Sequence, residues 1–285
     1  MKRIAFIQGY SNSFSVGRMC HLLKVSRSHY YSVIHFEKSP DALTEKVVAI
    51  FSQHSKRYGS RRIIAELKEE HHISVGRQRI RRIMHEQNLQ AIQPRSFVPK
   101  TTISDTSRLR SSNLLLEIEG ITGVNQVWVG DITYLPTSNS GWLYLAVWQD
   151  LFSRYVVGWQ VEEHMREALV ISAFRKALMQ RQPSQKLIVH SDGGTQYSSK
   201  GFRNEIKSFR QSMTRKDNHY DNATMESFFS RLKAELLEGG AFQSLSDARK
   251  ECFSYIEEYY NRIRRHSALE YVSPLEFENQ SLNSG

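Results

Sequence analysis

The spacing of hydrophobic residues changes from a helical period to a strand period near the middle of the chain. In the first part, Ile80, Ile83 and Met84 recur at the spacing of one helix face, and polar residues fill the other positions. Residues 19–31 show a smaller helix-turn-helix pattern, with Ser26 suited to cap its second helix. A three-helix domain is predicted after it, with helices over residues 43–54, 60–71 and 75–87.

Beyond residue 126 the apolar runs are short, rich in β-branched and aromatic residues, and separated by turns. Three such runs predict consecutive antiparallel strands, and alternating helices and strands follow them. The order βββαβαβα is that of the RNase H-like fold. We therefore predict an α/β core of this type, preceded by all-α domains of the helix-turn-helix type. The predicted elements cover residues 126–135, 142–151, 154–161, 166–180, 187–190, 199–209 and 211–214, and a last helix starts after residue 221.

Composition suggests where these parts begin and end. Residues 93–112 are polar, basic and rich in Ser and Thr, which is typical of a linker. The predicted division is a helix-turn-helix-like segment at 1–38, a basic three-helix DNA-binding domain at 39–95, a basic linker at 96–122, the RNase H-like core at 123–240 and a helical extension at 241–285.

The net charge of +10 indicates a polyanionic partner, because basic proteins gain affinity by releasing counterions from nucleic acids. The whole excess lies in the first 120 residues, where 20 Lys and Arg face 10 Asp and Glu. A third helix with one apolar and one basic face is typical of a DNA recognition helix, although a solvated surface or a packing module is the alternative. The arginines of this third helix are Arg77, Arg79, Arg81 and Arg82. Arg61 and Arg62 of the second helix are further candidates for DNA contact.

Other compositional features exclude some classes of protein. The chain has no run of the roughly 20 apolar residues that a membrane span requires, and it lacks the apolar region of a signal peptide. We expect a soluble, intracellular protein with no membrane partner. Cys20 and Cys252 fall in separate predicted helices, so we expect packing roles and neither a disulfide framework nor a zinc site.

Three acidic residues occupy positions where a carboxylate is costly or chemically useful. Asp131 lies inside an apolar strand, where a charge needs a partner or a cation. Asp192 follows the buried fourth strand, at the end where open α/β sheets place their sites. Glu226 lies one turn into the last helix, after Asp221 or Asn222 as a cap. If the first and fourth strands are parallel neighbours, these acids converge and suit a site for two divalent metal ions.

The residues after Glu226 extend this pattern. Ser230 and Lys233 lie four and seven positions further on, so a helix places them in one row with Glu226. A lysine beside metal ligands is suited to binding a DNA phosphate. Taken singly, each acid has a structural explanation as the partner of a buried arginine, a turn residue or an exposed helix residue. Their joint occurrence in this topological order favours a metal site.

Four segments of the sequence share residues with a known family. They are Trp128–Tyr134, His190–Tyr197, Asp221–Phe229 and Tyr260–Leu269. These segments resemble the signature blocks of the OrfB-type transposases of insertion-sequence family three, which are relatives of retroviral integrases with an Asp-Asp-Glu triad. The resemblance covers nearly all of the chain and includes the basic stretch Arg57–Arg62.

The resemblance implies metal ligation by Asp131, Asp192 and Glu226, with Mg²⁺ as the cofactor and Mn²⁺ able to replace it. It also implies DNA contact by Lys233, recognition of the element's terminal inverted repeats, and insertion into target DNA. A homo-oligomer on paired ends and strand transfer without a covalent protein–DNA intermediate belong to the same expectation. So does a bacterial, cytoplasmic and nucleoid-associated protein.

Two features depart from the family pattern. Only 33 residues separate Asp192 from Glu226, two fewer than in many members, and the shortening falls around residues 206–211. Active members are often fused by frameshifting to an upstream product with a helix-turn-helix and a leucine zipper, and no sustained heptad pattern occurs here. The chain is either the downstream product, with that partner separate or fused, or a naturally shorter version.

Several other polar residues are weaker candidates. His190 is expected either to orient a water or DNA end beside Asp192 or to make a structural hydrogen bond. Asp150 is expected to pair with Arg154 and not to bind metal, and Asn222 is a candidate supporting residue. A further basic set suits phosphate contact, with surface solvation or packing on the core as alternatives. This set is Arg215, Lys216, Arg264 and Arg265.

The sequence therefore predicts a DNA transposase in which a water or a terminal 3′-hydroxyl attacks a phosphodiester at the element's ends. Two alternatives remain. A structure-selective nuclease on the same fold would cut DNA and never join it. A catalytically silent repressor or accessory subunit would bind DNA, and such a protein has no need of three gathered acids.

Overall fold

The computed structural model describes residues 2–34, 42–94, 111–215, 222–238 and 240–283. Its elements follow the predicted order. The helices are α1 (Lys2–Gly9), α2 (Val16–Leu22), α3 (Arg27–Ile34), α4 (Ala42–Gln53), α5 (Ser60–His71), α6 (Arg77–Glu86), α7 (Glu167–Arg181), α8 (Lys200–Glu205), α9 (Ala223–Leu237), α10 (Leu245–Phe253) and α11 (Pro274–Asn283). The strands are β1 (Val127–Pro136), β2 (Trp142–Asp150), β3 (Val156–Glu162), β4 (Ile188–Ser191) and β5 (Arg210–Met213). Short 3₁₀ turns cover Leu114–Leu116 and Ser267–Leu269, and a π-helical segment covers Ser254–Tyr260.

The first strand lies at the centre of a five-stranded sheet with the strand order β3-β2-β1-β4-β5. Its pairing with β2, and that of β2 with β3, is antiparallel, whereas β4 runs parallel to β1 and β5 parallel to β4. Together with α7, α8 and α9 this arrangement is the βββαβαβα order of the RNase H-like fold, so the predicted fold class is confirmed. The parallel pairing of β1 with β4 was the condition for the predicted acidic site, and it is met.

The two faces of the sheet bury separate hydrophobic clusters, because neighbouring strand residues point to opposite sides. On one face α7 and α8 cover Trp128, and on the other face α9, α10 and the π-helical segment cover Val127 and Val129. Gly158 of β3 explains how closely α7 packs, since a Cβ at this position would overlap the backbone of Ala173. The C-terminal helices therefore share one hydrophobic core with the sheet.

The helical domains before the sheet also match the sequence pattern. Helices α4, α5 and α6 bury Ile80, Ile83 and Met84 in their shared core, as the helical spacing predicts. At the start of α3, the Ser26 hydroxyl accepts a hydrogen bond from the His29 amide at 3.1 Å, which is the predicted cap. Every helix of the described ranges falls short of the length and apolarity that a membrane crossing requires.

The turn between β2 and β3 differs from the prediction. Arg154 adopts a positive φ of 61°, so β3 starts two residues later than predicted. Asp150 accepts hydrogen bonds from the amides of Asn125 at 2.6 Å and Ser153 at 3.0 Å. Arg154 donates instead to the Thr224 hydroxyl at 2.9 Å. The predicted ion pair between Asp150 and Arg154 is therefore wrong. Within residues 111–215, which the structure describes without a gap, backbone amides of the turn already donate to the Asp150 carboxylate.

The second half of the predicted linker packs against the core. Leu114 donates its amide to the Ser212 hydroxyl of β5 at 3.0 Å, and its side chain contacts the cluster under α9. Residues 96–110 of the predicted linker lie outside the described residues. Helix α8 ends at Glu205, four residues before the predicted end, and a turn carries the chain from there to β5.

Candidate active site

Asp131 projects from the middle of β1. Its Oδ1 atom accepts a hydrogen bond from the Ile132 amide at 2.7 Å, and its Oδ2 atom accepts one from the Asn222 amide group at 3.1 Å. The preceding residue is Gly130, where a Cβ would overlap the ring of Trp148 on the neighbouring strand. Glycine at this position lets the aromatic ring lie flat across β1 directly before the acidic residue.

Asp192 follows the end of β4, beside β1. The two strands pair through Gly130 and Ser191, so the residues that follow each of them, Asp131 and Asp192, lie at the same edge of the sheet. The Oδ1 atom of Asp192 accepts a hydrogen bond from the Gly194 amide at 3.0 Å, which fixes the first turn of the loop. The sequence prediction that these two acids are neighbours agrees with this register.

The charges around Asp131 identify the groups that face it. Burial, the negative charge of Asp192 and, to a smaller extent, that of Glu226 raise the pKa of Asp131 well above its usual range. Lys233 is half-buried on α9; burial lowers its pKa, and the negative charge of Asp131 acts in the opposite direction. Glu226 and Lys233 lie seven residues apart on the same helix, so one face of α9 looks toward Asp131.

The three acids are neighbours, yet they do not form a ready-made ligand set. Within the described ranges, no three His, Cys, Asp or Glu side chains lie close enough to hold one metal ion as they stand. The expectation that Asp131, Asp192 and Glu226 converge on one metal site therefore stays a prediction. Like-charged carboxylates repel each other, so their mutual approach requires a cation. The donor set itself, composed of hard carboxylate oxygens, fits Mg²⁺ or Mn²⁺.

Asn222 occupies the predicted capping position of α9 but uses its side chain differently. The residue precedes the first turn of the helix, and its side chain makes no capping hydrogen bond there. The amide donates to Asp131 instead. Asp221, the other predicted cap, lies outside the described residues. Asn222 therefore links the start of the helix that carries Glu226 to the carboxylate on β1.

Two residues beside the acids are buried in the sheet. The Nδ1 atom of His190 and the hydroxyl of Ser212 lie 2.8 Å apart, which favours the structural alternative for this histidine. Sequence reasoning missed Tyr197, which is buried against Trp148 and Phe202. Burial and the charges of the two aspartates raise its pKa well above the usual range. A tyrosine inside a polar loop motif gives no local signal that its ring turns back under the site.

Family models and sequence relatives identify the class of protein. An HTH-like domain matches residues 38–97, and integrase core domains match residues 122–219 and 226–282. The transposase for insertion sequence element IS904 of Lactococcus lactis is 41% identical over 240 residues, which are 84% of this chain and 94% of that protein. Transposase InsF for insertion sequence IS3A of Escherichia coli is 37% identical over 292 residues, 98% of this chain and 99% of that protein. This chain belongs to the IS3 family of transposases. It is therefore a DNA transposase with an integrase core, an enzyme of the DDE polynucleotidyl transferase class.

Solved structures that superpose in part on this transposase include an intasome and an integrase catalytic core domain. The simian T-cell lymphotropic virus intasome in complex with PP2A regulatory subunit B56 gamma gives a TM-score of 0.47 at 15% identity, over 81% of this chain and 74% of that chain. The HTLV-2 integrase catalytic core domain in complex with magnesium gives a TM-score of 0.42 at 19% identity, over 56% and 99%. The family membership comes from the sequence relatives and not from these overlaps.

The predicted DNA-contacting residues of the transposase fall into three groups. Arg62 and Lys233 are half-buried, and Lys216 lies outside the described residues. Arg264 and Arg265 are buried. The exposed group consists of Arg61, Arg77, Arg79, Arg81, Arg82 and Arg215.

The buried group corrects the prediction. Arg264 binds Glu235 of α9 through two hydrogen bonds of 2.8 and 2.5 Å, and each of these side chains is only 2% exposed. Arg265 binds Glu66 and Glu70 of α5. Because carboxylates of α9 and α5 bind both guanidinium groups, the structure contradicts DNA contact by Arg264 and Arg265. Packing on the core, the alternative that the sequence left open, is what the structure supports.

Two of the family's signature segments meet at this point. The Tyr58 hydroxyl accepts a hydrogen bond from the Arg265 amide at 2.8 Å and donates one to the Ile263 carbonyl at 3.4 Å. Arg57 donates to the backbone carbonyl of Glu235 at 3.3 Å. The basic segment before α5 therefore docks the three-helix domain onto the C-terminal segment and the end of α9.

Proposed function

We propose that Asp131, Asp192 and Glu226 bind divalent metal ions, with Mg²⁺ as the natural one, and that the transposase cuts and joins DNA at the ends of its element. Bound there, two such ions would activate the attacking oxygen and stabilise the leaving oxygen of an in-line phosphodiester displacement. The observation that supports this most is the juxtaposition of Asp131 and Asp192 on parallel strands, which leaves a half-buried like-charged pair in need of a cation.

The chain's own residues prepare this site. Asn222 donates to Asp131 and thereby orients the carboxylate toward the helix that carries Glu226. Lys233, on the same face of that helix, supplies a cation suited to a phosphate of the reacting strand. The Gly194 amide holds Asp192 in its turn. Each of these contacts reduces the motion that the site must lose when DNA and metal bind.

The partners follow from the same proposal. The exposed arginines of α6 suit the backbone of duplex DNA at the terminal inverted repeats, with the three-helix domain at 39–95 as the binding module. Target DNA reaches the acids of the core at 123–240. We propose a homo-oligomer on paired ends and an upstream helix-turn-helix and leucine-zipper product as a further partner. A cytoplasmic, nucleoid-associated location agrees with a substrate that is chromosomal DNA.

The test is a strand-transfer assay with the element's own terminal repeats, a target plasmid and Mg²⁺. We expect the alanine variant of Asp131, Asp192 or Glu226 to lose cleavage and joining by at least about a thousandfold while DNA binding is retained. Glu205→Gln, which removes an acid on the opposite face of the sheet, is the matched control and keeps full activity. Full activity in any triad variant refutes the assigned role.

Two other outcomes point to the alternative functions. Cleavage of the terminal repeat without any joined product, under all metals tried, would indicate a nuclease. Repeat binding that is unaffected by chelator and gives no product would indicate a silent DNA-binding subunit.

A further inference from the structure

Four basic side chains from separate parts of the chain gather beside α9. One comes from α5, one from the turn between β2 and β3, one from α9 and one from the C-terminal segment. They are Arg62, Arg154, Arg231 and His266, and we call them the basic niche. All four are half-buried.

Hydrogen bonds fix two sides of the basic niche. Arg62 donates from Nε to the Arg265 carbonyl at 2.8 Å, which places it beside the residue that follows, His266. Arg154 donates from Nη1 to the Thr224 hydroxyl on the first turn of α9 at 2.9 Å. Each arginine is thus anchored by one nitrogen and keeps further donor groups for another partner.

A chain of contacts joins these two sides. The Gln149 amide donates both to the Arg154 carbonyl at 2.9 Å and to the Tyr260 hydroxyl at 3.1 Å. The rings of Tyr260 and His266 lie 6.4 Å apart between their centroids. Arg231 completes the group, because it lies two helical turns after Thr224 on the same face of α9. The opposite row of that helix carries Glu226 and Lys233.

Within the residues that the structure describes, the arginines of the niche lack the direct ion pairs that the neighbouring arginines form. Arg264 has Glu235, and Arg265 has Glu66 and Glu70. Within the described part of the chain, no carboxylate forms an ion pair with any of the three arginines of the niche. The negative charges of Glu235 and Asp150 act on Arg62 and Arg154, but Arg264 already binds Glu235 and turn amides already bind Asp150. Gathering half-buried cations that have no ion-pair partner of their own is unfavourable, so such a group favours an anion from outside.

His266 adds a neutral donor to the niche. Burial and the charges of Arg264, Arg154 and Arg62 lower the pKa of His266 to about 3. Its Nδ1 atom accepts a hydrogen bond from the Ala268 amide at 3.3 Å, so the proton of the neutral ring lies on Nε2. The niche therefore presents N–H donors from four side chains, which suits an oxyanion and excludes a cation.

We propose that the basic niche binds one backbone phosphate of duplex DNA. Guanidinium groups match the oxygens of a phosphodiester through paired hydrogen bonds, and the anion would separate the crowded arginines. This site deepens the proposed function, on which it rests, because its ligand is the DNA that the enzyme processes. Thr224 is two residues before Glu226, so a phosphate held here fixes the duplex against the helix of the active site. Since the niche takes residues from both the three-helix domain and the core, it forms only while the two are docked.

The first experiment measures equilibrium binding of the full chain to a labelled duplex of arbitrary sequence in EDTA, over a range of salt concentrations. Phosphate contacts are independent of sequence, so neither the terminal repeat nor catalysis is required. We expect Arg231→Gln to weaken binding roughly tenfold and to reduce the salt slope by about one. Arg175→Gln removes the same charge from an arginine on the opposite face of the sheet and is the matched control, with an unchanged slope.

A second experiment locates the phosphate. Replacing single phosphates of the duplex by neutral methylphosphonates should weaken the wild type at one or two positions and leave Arg231→Gln unaffected at those same positions. The proposal would be overturned if the methylphosphonates weakened binding by Arg231→Gln as much as binding by the wild type at every position. It would also be overturned if Arg175→Gln reduced the salt slope as much as Arg231→Gln does. Circular dichroism establishes that each variant is folded, and Arg231→Lys, which keeps the charge, should retain most of the salt slope. If the niche fails these tests while the triad variants behave as expected, the proposed function stands without it.

Discussion

Two acids next to α9 show opposite behaviour. Asp131 faces the helix from β1, and burial together with Asp192 raises its pKa. Glu235 lies on the helix itself and is buried as well, but hydrogen bonds from Arg264 and the positive charge of this residue lower its pKa overall. Both carboxylates lie at α9 in a hydrophobic environment, but only Glu235 forms a hydrogen-bonded ion pair, whereas Asp131 has the half-buried Lys233 and two further acids around it.

The difference separates a structural acid from a functional one. A buried carboxylate with a bidentate arginine has its charge neutralised inside the protein, so it contributes to docking and gains nothing from a ligand. A carboxylate that faces a second carboxylate carries an electrostatic cost in the free protein, which a bound metal ion removes. The same reasoning separates Arg264 from the arginines of the basic niche. On the two sides of α9, we assign to ligands groups that lie beside like charges, and to docking those that are held in a buried ion pair.

The largest effect is expected when the buried ion pair between Arg264 and Glu235 is broken. Arg264→Met leaves Glu235 buried without its counter-charge and should lower the free energy of unfolding by about 3–5 kcal/mol. Urea denaturation monitored by circular dichroism measures this loss. The double variant Arg264→Met with Glu235→Met removes both charges and should recover much of the stability. An Arg264→Met protein as stable as the wild type would show that the pair is not what holds this region.

The sequence alone does not reveal such a pair. Arg264 and Arg265 belong to a basic, aromatic cluster that equally suits DNA contact or packing. Their partners Glu235 and Glu66 lie 29 and 199 residues away, so no helical spacing connects them. Only the docking of the three-helix domain, which is a tertiary event, decides between the two interpretations.

The acidic site was easier to predict, because it depends on sheet topology. A buried strand followed by Asp192, and an acid inside the first strand, suffice once β1 and β4 are parallel neighbours. Local chemistry was less predictable. Asp150 accepts hydrogen bonds from backbone amides of the turn and forms no ion pair with Arg154. The Asn222 side chain donates to Asp131, which is distant in sequence, and does not cap its helix.

An intermediate effect of opposite sign is expected at Asp131. Because its folded-state pKa is raised, the folded protein retains a proton that the unfolded chain releases as pH rises above the ordinary pKa of an aspartate. The wild type therefore loses stability as pH rises from that value to the raised one, and the full penalty persists above it. Asp131→Asn removes this electrostatic cost of the ionised carboxylate. It should stabilise the metal-free protein by about 1 kcal/mol at pH 8 and give no gain in stability at acid pH.

Thermal denaturation with and without Mg²⁺ sharpens this result. In EDTA the asparagine variant should melt above the wild type, and saturating Mg²⁺ should raise the melting temperature of the wild type and leave that of the variant nearly unchanged. Glu205→Gln again serves as the control, since it alters an acid on the opposite face of the sheet. If Asp131→Asn destabilises the metal-free protein at pH 8, the acid is satisfied within the fold and the contrast with Glu235 disappears.

The smallest effect is expected three residues beyond Glu235, where the same interface has an exposed ion pair. Lys56 and Glu238 lie 3.9 Å apart, and each side chain is 62% exposed. Water screens this pair and both long side chains lose rotational freedom in forming it, so Lys56→Gln should change the free energy of unfolding by less than about 0.5 kcal/mol. Urea denaturation at low and high salt measures the change. A loss of stability as large as that of Arg264→Met would mean that net charge at the interface matters more than burial. The distinction between groups with and without a buried ion-pair partner would then have to rest on another property.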